Sequence, residues 1–124
     1  MKKLLTLDVG TTAVKAALFD AELRLIAAEI TEYALLTPEA GIVLDPAIYW
    51  TSAVKGIRKI LAETGTEPTE VCSIACTTQG ETLIPVDRNG NVLHNAVVWL
   101  DSRATAEAEA LAELGLLPGT VVAA

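Results

Sequence analysis

The residues with the clearest capacity for chemistry lie in a short turn between two apolar runs near the start of the chain. Asp8 ends the first run, Gly10, Thr11 and Thr12 form the turn, and Lys15 stands in the second run. Gly10 permits close approach of a ligand and a positive φ, and successive backbone N–H groups of a turn form a concavity that binds anions. Asp8 would hold Mg²⁺ directly or through water, and Lys15 would supply a point charge. The turn therefore suits a phosphate chain with its magnesium ion.

A polar β-hairpin turn explains the same residues without any ligand, because glycine and threonine are common in turns. The spacing excludes two better-known phosphate loops. The chain has no Gly-x-x-x-x-Gly-Lys-Ser/Thr, and no Gly-x-Gly-x-x-Gly follows a strand. The residues of the turn alone leave both interpretations open.

Composition narrows the class of protein. The chain has 124 residues, of which 52% are hydrophobic, and a net charge of −7. This length suits one domain with a core, and no apolar run is long enough to span a bilayer. Asp8 interrupts the apolar segment after Met1-Lys2-Lys3 too early for a secretion signal, so we expect a cytoplasmic protein. The acidic balance argues against a nucleic-acid-binding face.

The cysteines and the single histidine give no sign of a metal centre. Cys72 and Cys76 fall on the same face of a predicted strand, where we expect them as small buried core residues and not as a disulfide. They are too few for a thiolate metal site, and His94 has no evident partner. His94 ends a predicted hairpin arm, so we expect a structural role for it.

The first half of the chain predicts an antiparallel meander followed by a helix. The strands are expected at 3–9, 14–20 and 24–33, with Leu25, Ala27 and Glu29 on one face of the third. A loop over 37–41 follows. Asp45-Pro46 is typical of a helix start, and Thr64-Gly65 of its end. Residues at helical spacing predict the buried face of this helix: Trp50, Val54, Ile57 and Leu61, joined by Ala53 and Ile60.

The second half predicts a strand over 71–77 that pairs parallel to the meander, because a helix connects the two. Asn89-Gly90 predicts a type I′ hairpin between arms at 83–86 and 92–94. An apolar run follows at 96–100, and a helix is expected from Asp101 to Leu114, with Gly115 as its C-cap. Residues 116–124 stay apolar to the end. This favours a chain cut inside a larger protein, with a C-terminal strand as the alternative.

A second polar group follows the strand over 71–77. In open α/β sheets, ligands bind beyond the carboxyl ends of the strands. Gln79 and Glu81 are therefore placed to bond a polyhydroxylated ligand, since carboxylates form charge-assisted hydrogen bonds with hydroxyl groups. The alternative is a polar loop that leads into the hairpin.

Taken together and in order, these motifs resemble the FGGY family of carbohydrate kinases over nearly the whole chain. The resemblance rests on Asp8-x-Gly-Thr-Thr-x-x-Lys15, Asp20, Thr77-Thr-Gln-Gly-Glu-Thr82, the Leu-Ile-Pro-Val-Asp-x-x-Gly hairpin and Ala96-Val-Val-Trp-Leu-Asp-Ser-Arg103. It implies an α/β fold, the ribonuclease-H-like domain of actin-like ATPases. That fold has a mixed sheet in β-β-β-α-β-α order, and here it would be truncated.

The resemblance also implies roles for particular residues, with ATP and Mg²⁺ as cofactors. Asp8 matches the metal-associated aspartate, and the residues matching the phosphate- and nucleotide-binding loop are Gly10, Thr11, Thr12 and Lys15. The residues implied for the sugar pocket are Gln79, Gly80, Glu81, Asp101 and Arg103, of which the last two would shape the pocket and take no part in the chemistry. Glu81 matches the acid that binds substrate hydroxyls in glycerol kinases.

Three departures from the family pattern prevent an assignment of the substrate. Lys15 and Gly80 each stand where glycerol kinases have arginine. Xylulokinases have Met-His in place of Gly80-Glu81. The resemblance therefore fits neither subfamily fully.

The resemblance further implies that residues 1–124 are the first portion of an N-terminal domain. The rest of that domain and the whole C-terminal domain would be absent. The general-base aspartate and the adenosine site would lie beyond residue 124, so no catalytic base is expected in this chain. A longer parent, which could form a homodimer, would phosphorylate a sugar or polyol with ATP, and this chain alone would be inactive.

Two alternatives remain at this stage. One is a non-catalytic sugar- or nucleotide-binding module, or a remnant of the same fold. The other is an acetate- or acyl-activating kinase of the wider superfamily, against which the segments 79–81 and 99–101 argue.

Overall fold

A four-stranded mixed sheet forms the centre of the computed structural model, which describes residues 2–38 and 41–116. Its strands are β1 (Lys3–Val9), β2 (Ala13–Phe19), β3 (Leu25–Glu32) and β5 (Val71–Thr78), in the order β3-β2-β1-β5. The short strands β4 (Val43–Leu44) and β6 (Ala96–Val97) pair separately, and the helices are α1 (Ala47–Thr64) and α2 (Thr105–Glu113). A 3₁₀ turn at Pro68–Glu70 precedes β5. The predicted β-β-β-α-β-α order is confirmed, with bounds of the second and third strands shifted by a residue.

The pairing pattern places two loops side by side at one edge of the sheet. β1 is antiparallel to β2 and parallel to β5, with Asp8 opposite Thr77 and Val9 opposite Thr78. The Gln79 amide donates to the Val9 carbonyl at 2.9 Å, which continues the pairing one residue past β5. The turn after β1 and the loop after β5 therefore begin next to each other, as the parallel pairing predicts.

The core lies between the sheet and α1. Leu5, Ala16, Leu18 and Ile60 form its buried cluster. Gly56 brings the helix close to the sheet, because a Cβ built on it would lie 3.4 Å from the Cβ of Ala16. Asp45 begins the helix by accepting from the Ala47 amide at 2.9 Å, and Gly65 ends it at a φ of 61°. Both predicted helix boundaries are confirmed.

The predicted buried face of α1 was wrong at Trp50, whose exposed fraction is 74%. Ala53 and Ile60 are buried as predicted, and Ser52 and Gly56 are buried with them. Small residues on this face let the helix approach the sheet closely, so the bulky indole lies outside the contact. Val54, Ile57 and Leu61 are partly buried.

Both cysteines are free and exposed, so their prediction as buried core residues was also wrong. They lie on β5, which is at the edge of the sheet, while α1 packs mainly on β2 and β3. Ile74, which pairs with the buried Leu5, is exposed for the same reason. Cys72 and Cys76 form no disulfide in the structure.

The predicted hairpin is a turn joined by a single bridge, Val86 to Val92. Its carboxylate, Asp87, accepts from the amides of Asn89 at 2.8 Å and Asn91 at 2.9 Å. Gly90 has a φ of 83°, but Asn89 has no positive φ, so the predicted type I′ turn is wrong. The aspartate side chain stabilises a different turn by satisfying two amides. His94 is exposed, and its ring nitrogen lies 2.9 Å from the Asn95 carbonyl oxygen.

The second helix begins at Thr105 and not at Asp101 as predicted. The Asp101 carboxylate is engaged outside the helix, as described below, and so cannot cap it. Gly115, at a φ of 69°, follows the end of the helix as predicted. The apolar segment over 117–124 lies outside the described residues. Within the described part of the chain, no helix is long and apolar enough to cross a membrane.

Candidate active site

The turn after β1 is closed by a hydrogen bond from the Gly10 amide to the Ala13 carbonyl at 2.9 Å. Gly10 does not adopt the positive φ that the sequence allowed. Glycine fits here because a Cβ would lie 3.1 Å from the Ala13 oxygen. The amides of Thr11 and Thr12 make no hydrogen bond within residues 2–38 and 41–116. Two adjacent N–H groups are thus available to an anion.

Asp8 and Lys15 face each other across β1 and β2, with 3.4 Å between the Lys15 Nζ and an Asp8 carboxylate oxygen. Both side chains are about half exposed. An exposed pair of this kind contributes little to stability, so both groups can exchange their contact for a ligand. The turn thus presents a carboxylate, an ammonium group and free amides together.

Asp8 is the carboxylate that this turn offers to a magnesium ion. Among the residues that the structure describes, no three His, Cys, Asp or Glu side chains cluster as a metal site. This fits Mg²⁺, which keeps several waters and is held in phosphate sites by one or two carboxylates together with substrate phosphates. The donor set therefore suits a magnesium ion that arrives with a phosphate chain.

Glu81 lies where two cavities meet. The first has a volume of about 420 Å³ and is lined by Thr11, Gln79, Gly80, Glu81 and Trp99. The second, of about 340 Å³, shares Glu81 and Trp99 and continues along Leu83, Val97, Val98, Asp101, Arg103 and Ala104. Glu81 has a φ of 61°, a conformation that costs a side-chain-bearing residue about 1–2 kcal/mol. Strain of this kind concentrates at functional sites, where it aims a side chain.

Trp99 joins the turn after β1 to these cavities. Its indole Nε1 donates to the Thr11 hydroxyl at 2.8 Å, and its amide donates to the Thr82 hydroxyl at 3.3 Å. Trp99 belongs to one of the family motifs but was not predicted as a site residue. The sequence did contain a signal for Trp99, which lies two residues before Asp101 in a chain with few aromatic residues.

The second cavity is lined by an ion pair between Asp101, whose side chain is nearly covered, and the more exposed Arg103. The Asp101 side chain is 4% exposed and accepts from the Ile42 amide at 2.7 Å and from the Arg103 Nε at 2.9 Å. The hydrogen bond from the Arg103 side chain, helped by those from the backbone amides of Arg103 and Ile42, lowers the pKa of Asp101 to about 2. Asp101 is thus a charged group that fixes the position of the Arg103 guanidinium.

Gly41 permits this ion pair, and its replacement is predicted to break it. A Cβ on Gly41 would lie 2.4 Å from the Arg103 Nε and 2.5 Å from an Asp101 carboxylate oxygen. Gly41→Ala should therefore lower the free energy of unfolding by about 1–3 kcal/mol, measured by urea denaturation. Gly80→Ala is the matched control, since nothing lies within 4 Å of the added Cβ. Equal stability of the two variants would contradict this assignment.

The lowered pKa of Asp101 predicts a pH dependence of stability. Because the folded-state pKa of about 2 is below the ordinary value of 3.8, the contribution is complete above about pH 5 and is lost as the pH falls toward 2. Asp101→Asn should flatten the fall of unfolding free energy with pH in this window. The slope will not vanish, because the pKa values of Asp20 and Asp87 are also lowered by hydrogen bonds. An unchanged slope in the variant would contradict the role of Asp101.

Gln79 and Gly80 line the first cavity in different ways. The Gln79 Nε2 donates to the Tyr49 hydroxyl at 2.8 Å, while its Oε1 is buried without a partner among the described residues. Gly80 has open space at the position of a Cβ. Gly80 therefore leaves the first cavity wide.

The structure brings the predicted residues to one edge of the sheet in two groups. Thr11, Gln79, Gly80 and Glu81 line the first cavity, and Glu81, Asp101 and Arg103 line the second. The remaining four, Asp8, Gly10, Thr12 and Lys15, line neither cavity but belong to the same turn as Thr11 or to the strands that it joins. A polar turn with anion-binding character thus adjoins a partly apolar cavity with a carboxylate.

Two solved structures with a similar fold are a sugar kinase and a polyol kinase. A ligand-bound xylulose kinase from Lactobacillus acidophilus superposes with a TM-score of 0.84 at 23% identity, over 94% of this chain and 23% of that one. A Plasmodium falciparum glycerol kinase with ADP gives a TM-score of 0.74 at 24% identity, over 96% of this chain and 24% of that one. These similarities establish the fold, an α/β domain of the actin-like ATPase type.

The family follows from the sequence comparison. The model of the N-terminal domain of the FGGY family of carbohydrate kinases matches residues 3–120, so the chain belongs to this family. A glycerol kinase from Agrobacterium fabrum is 37% identical over 117 residues, which are 93% of this chain. The chain spans 23% of the length of that relative. The resemblance predicted from the motifs is confirmed.

Proposed function

We propose that this chain supplies the phosphate-binding turn and part of the substrate pocket of a kinase that transfers phosphate from ATP to a sugar or polyol. The observation that carries the proposal is the hydrogen bond from the Trp99 indole to Thr11. It joins a turn with two free amides to a cavity that contains the Glu81 carboxylate. A phosphate donor and a hydroxyl-bearing acceptor would meet at that junction.

The residues of the turn would hold the phosphate chain of the nucleotide. The amides of Thr11 and Thr12 donate to phosphate oxygens, and Lys15 adds a positive charge. Phosphoryl transfer depends mainly on positioning and on stabilising charge at the transferred group. The magnesium ion would neutralise charge on the phosphates, and Asp8 would hold it directly or through water.

The cavity residues would bind and orient the acceptor. Glu81 accepts hydrogen bonds from neighbouring hydroxyl groups, and the half-exposed Trp99 ring covers the apolar side of the substrate. Arg103, held in place by Asp101, borders the far end of the second cavity. We assign binding and orientation to these side chains and no proton transfer.

A purely binding role for this chain is the second candidate. Its support is that the carboxylates lining the cavities are Glu81 and Asp101, of which Asp101 is paired with Arg103. Among the described carboxylates that line these cavities, Glu81 is the one outside an ion pair, and its proposed role is to bind hydroxyls. A sugar-binding module of the same fold would need nothing more.

An assay of ADP release tests the proposed function. The full-length enzyme to which we propose this chain belongs should release ADP from ATP and Mg²⁺ with at least one of glycerol, xylulose or gluconate. The 124-residue chain by itself should show no turnover. Absence of phosphate transfer with a broad panel of ketoses, aldoses and polyols would overturn the kinase proposal. Binding of a sugar independent of nucleotide would then favour the sugar-binding module.

A further inference from the structure

Two tyrosines connect the turn after β1 with the loop after β5 through the interior of the protein. Tyr33, just past β3, donates from its hydroxyl to the Gly10 carbonyl, and its amide donates to the Thr12 carbonyl at 2.9 Å. Tyr33 therefore holds the turn at two points, one on each side of Thr11.

Tyr49, in the first turn of α1, holds the other loop. Its hydroxyl accepts from the Gln79 Nε2 at 2.8 Å. The two tyrosine rings meet edge to face, with centroids 5.7 Å apart and planes at 86°. This arrangement is a favourable one for aromatic pairs. An unbroken series of contacts thus runs from Gly10 through both rings to Gln79.

The surroundings of the two tyrosines and of Gln79 stabilise these contacts. Both tyrosines are half-buried, and burial raises the pKa of Tyr33 to about 12 and also raises that of Tyr49. The Tyr33 hydroxyl therefore stays protonated and remains a donor at all ordinary pH values. The Gln79 amide has its nitrogen occupied by Tyr49 and its oxygen buried. Such an amide is better suited to holding its loop than to contacting a ligand.

We propose that Tyr33, Tyr49 and Gln79 form a brace that couples the phosphate-binding turn to the loop carrying Glu81. In this arrangement Gln79 is a positioning residue that acts through Tyr49. This inference rests on the proposed function, because coupling between the turn and the loop is useful only where two ligands must meet. The brace itself is a property of the unliganded protein and can be measured without any ligand.

The experiment measures amide hydrogen exchange and chemical shifts by NMR in the 124-residue chain. Tyr49→Phe keeps the ring but removes the hydroxyl that holds Gln79. We expect shifts of the Gln79 side-chain amide and, across the brace, exchange at the Gly10 amide about fivefold faster, the effect of roughly one lost hydrogen bond. Tyr33→Phe should produce the same change at Gly10 together with shifts at Gln79.

The matched control is Trp50→Phe, which alters an exposed aromatic residue next to Tyr49 on the same helix. It should change neither Gly10 nor Gln79. The double variant of both tyrosines should show less than the sum of the single effects, because both act on one unit. If Tyr49→Phe moves only Gln79 and leaves Gly10 and Thr12 unchanged, or if the two effects add fully, the brace is refuted.

Failure of the brace and failure of the proposed function give different results. Loss of coupling in these ligand-free spectra refutes the brace and leaves the kinase proposal intact. Conversely, if the kinase proposal fails because the protein transfers no phosphate, the coupling between the two loops should still be observed.

Discussion

Glu81→Ala should weaken binding of the acceptor polyol by about 10- to 100-fold, the effect of losing charge-assisted hydrogen bonds. The carboxylate lies where two cavities meet, on a backbone held at a φ of 61°. In the full-length enzyme the change should appear mainly in the KM for the acceptor. The measurement is a set of steady-state rates against acceptor concentration at saturating ATP.

Two further variants separate the charge of Glu81 from its backbone strain. Glu81→Gln keeps the shape of the side chain and should lose part of the affinity. Glu81→Gly relieves the left-handed conformation, so its stability should match or exceed that of the parent while its affinity falls as far as in the alanine variant. Unchanged acceptor affinity in Glu81→Ala would show that the carboxylate does not face the substrate.

Asp8→Asn should lower kcat of the full-length enzyme by about 100-fold or more, with a much smaller change in the acceptor KM. The Asp8 carboxylate is proposed to act on the metal ion at the phosphates. Its negative charge matters most during phosphoryl transfer, when charge on the transferred group is redistributed. Lys15, 3.4 Å from Asp8, would lose its partner, but an exposed pair contributes little to stability. Rates measured over a range of Mg²⁺ concentrations test the assignment.

Asp20→Asn is the matched control for Asp8→Asn. Asp20 also lies at the end of a strand, where it pairs with Arg24 at 2.7 Å, but it belongs to the turn between β2 and β3. Its replacement should leave kcat and the Mg²⁺ dependence unchanged. A kcat loss of the same size in both variants would contradict a specific role for Asp8.

The order of the strands and helices along the chain, the boundaries of α1 and both groups of polar residues could be predicted because local sequence patterns encode them. Alternating apolar residues predict the meander, and Asp45-Pro46 with Gly65 delimits α1. The helical connection predicted that the strand after α1 pairs parallel to the meander. The structure adds that its partner is β1, which brings Asp8 and Gln79 to one edge of the sheet.

Tertiary contacts explain what the sequence patterns could not predict. Helical spacing placed Trp50 on the buried face of α1, but the small residues Gly56 and Ala53 define the face that meets the sheet. Cys72 and Cys76 are exposed because α1 covers the neighbouring strands and not β5.

Three further features of the site also depend on the assembled fold. The strain at Glu81 is a backbone property that its residue type disfavours. The bond from Trp99 to Thr11 joins residues 88 positions apart, and that from Tyr49 to Gln79 residues 30 apart. No local pattern could indicate either of them.

The most direct test of the proposed site is an NMR titration of the 124-residue chain with magnesium pyrophosphate. The amide signals of Thr11 and Thr12 should shift in a saturable way, and the Trp99 indole signal should shift with them through its hydrogen bond to Thr11. Lys15→Ala should weaken this binding, while Lys55→Ala, on the exposed side of α1, should not. Shifts confined to other regions, or none at concentrations of tens of millimolar, would contradict a phosphate-binding turn in this chain.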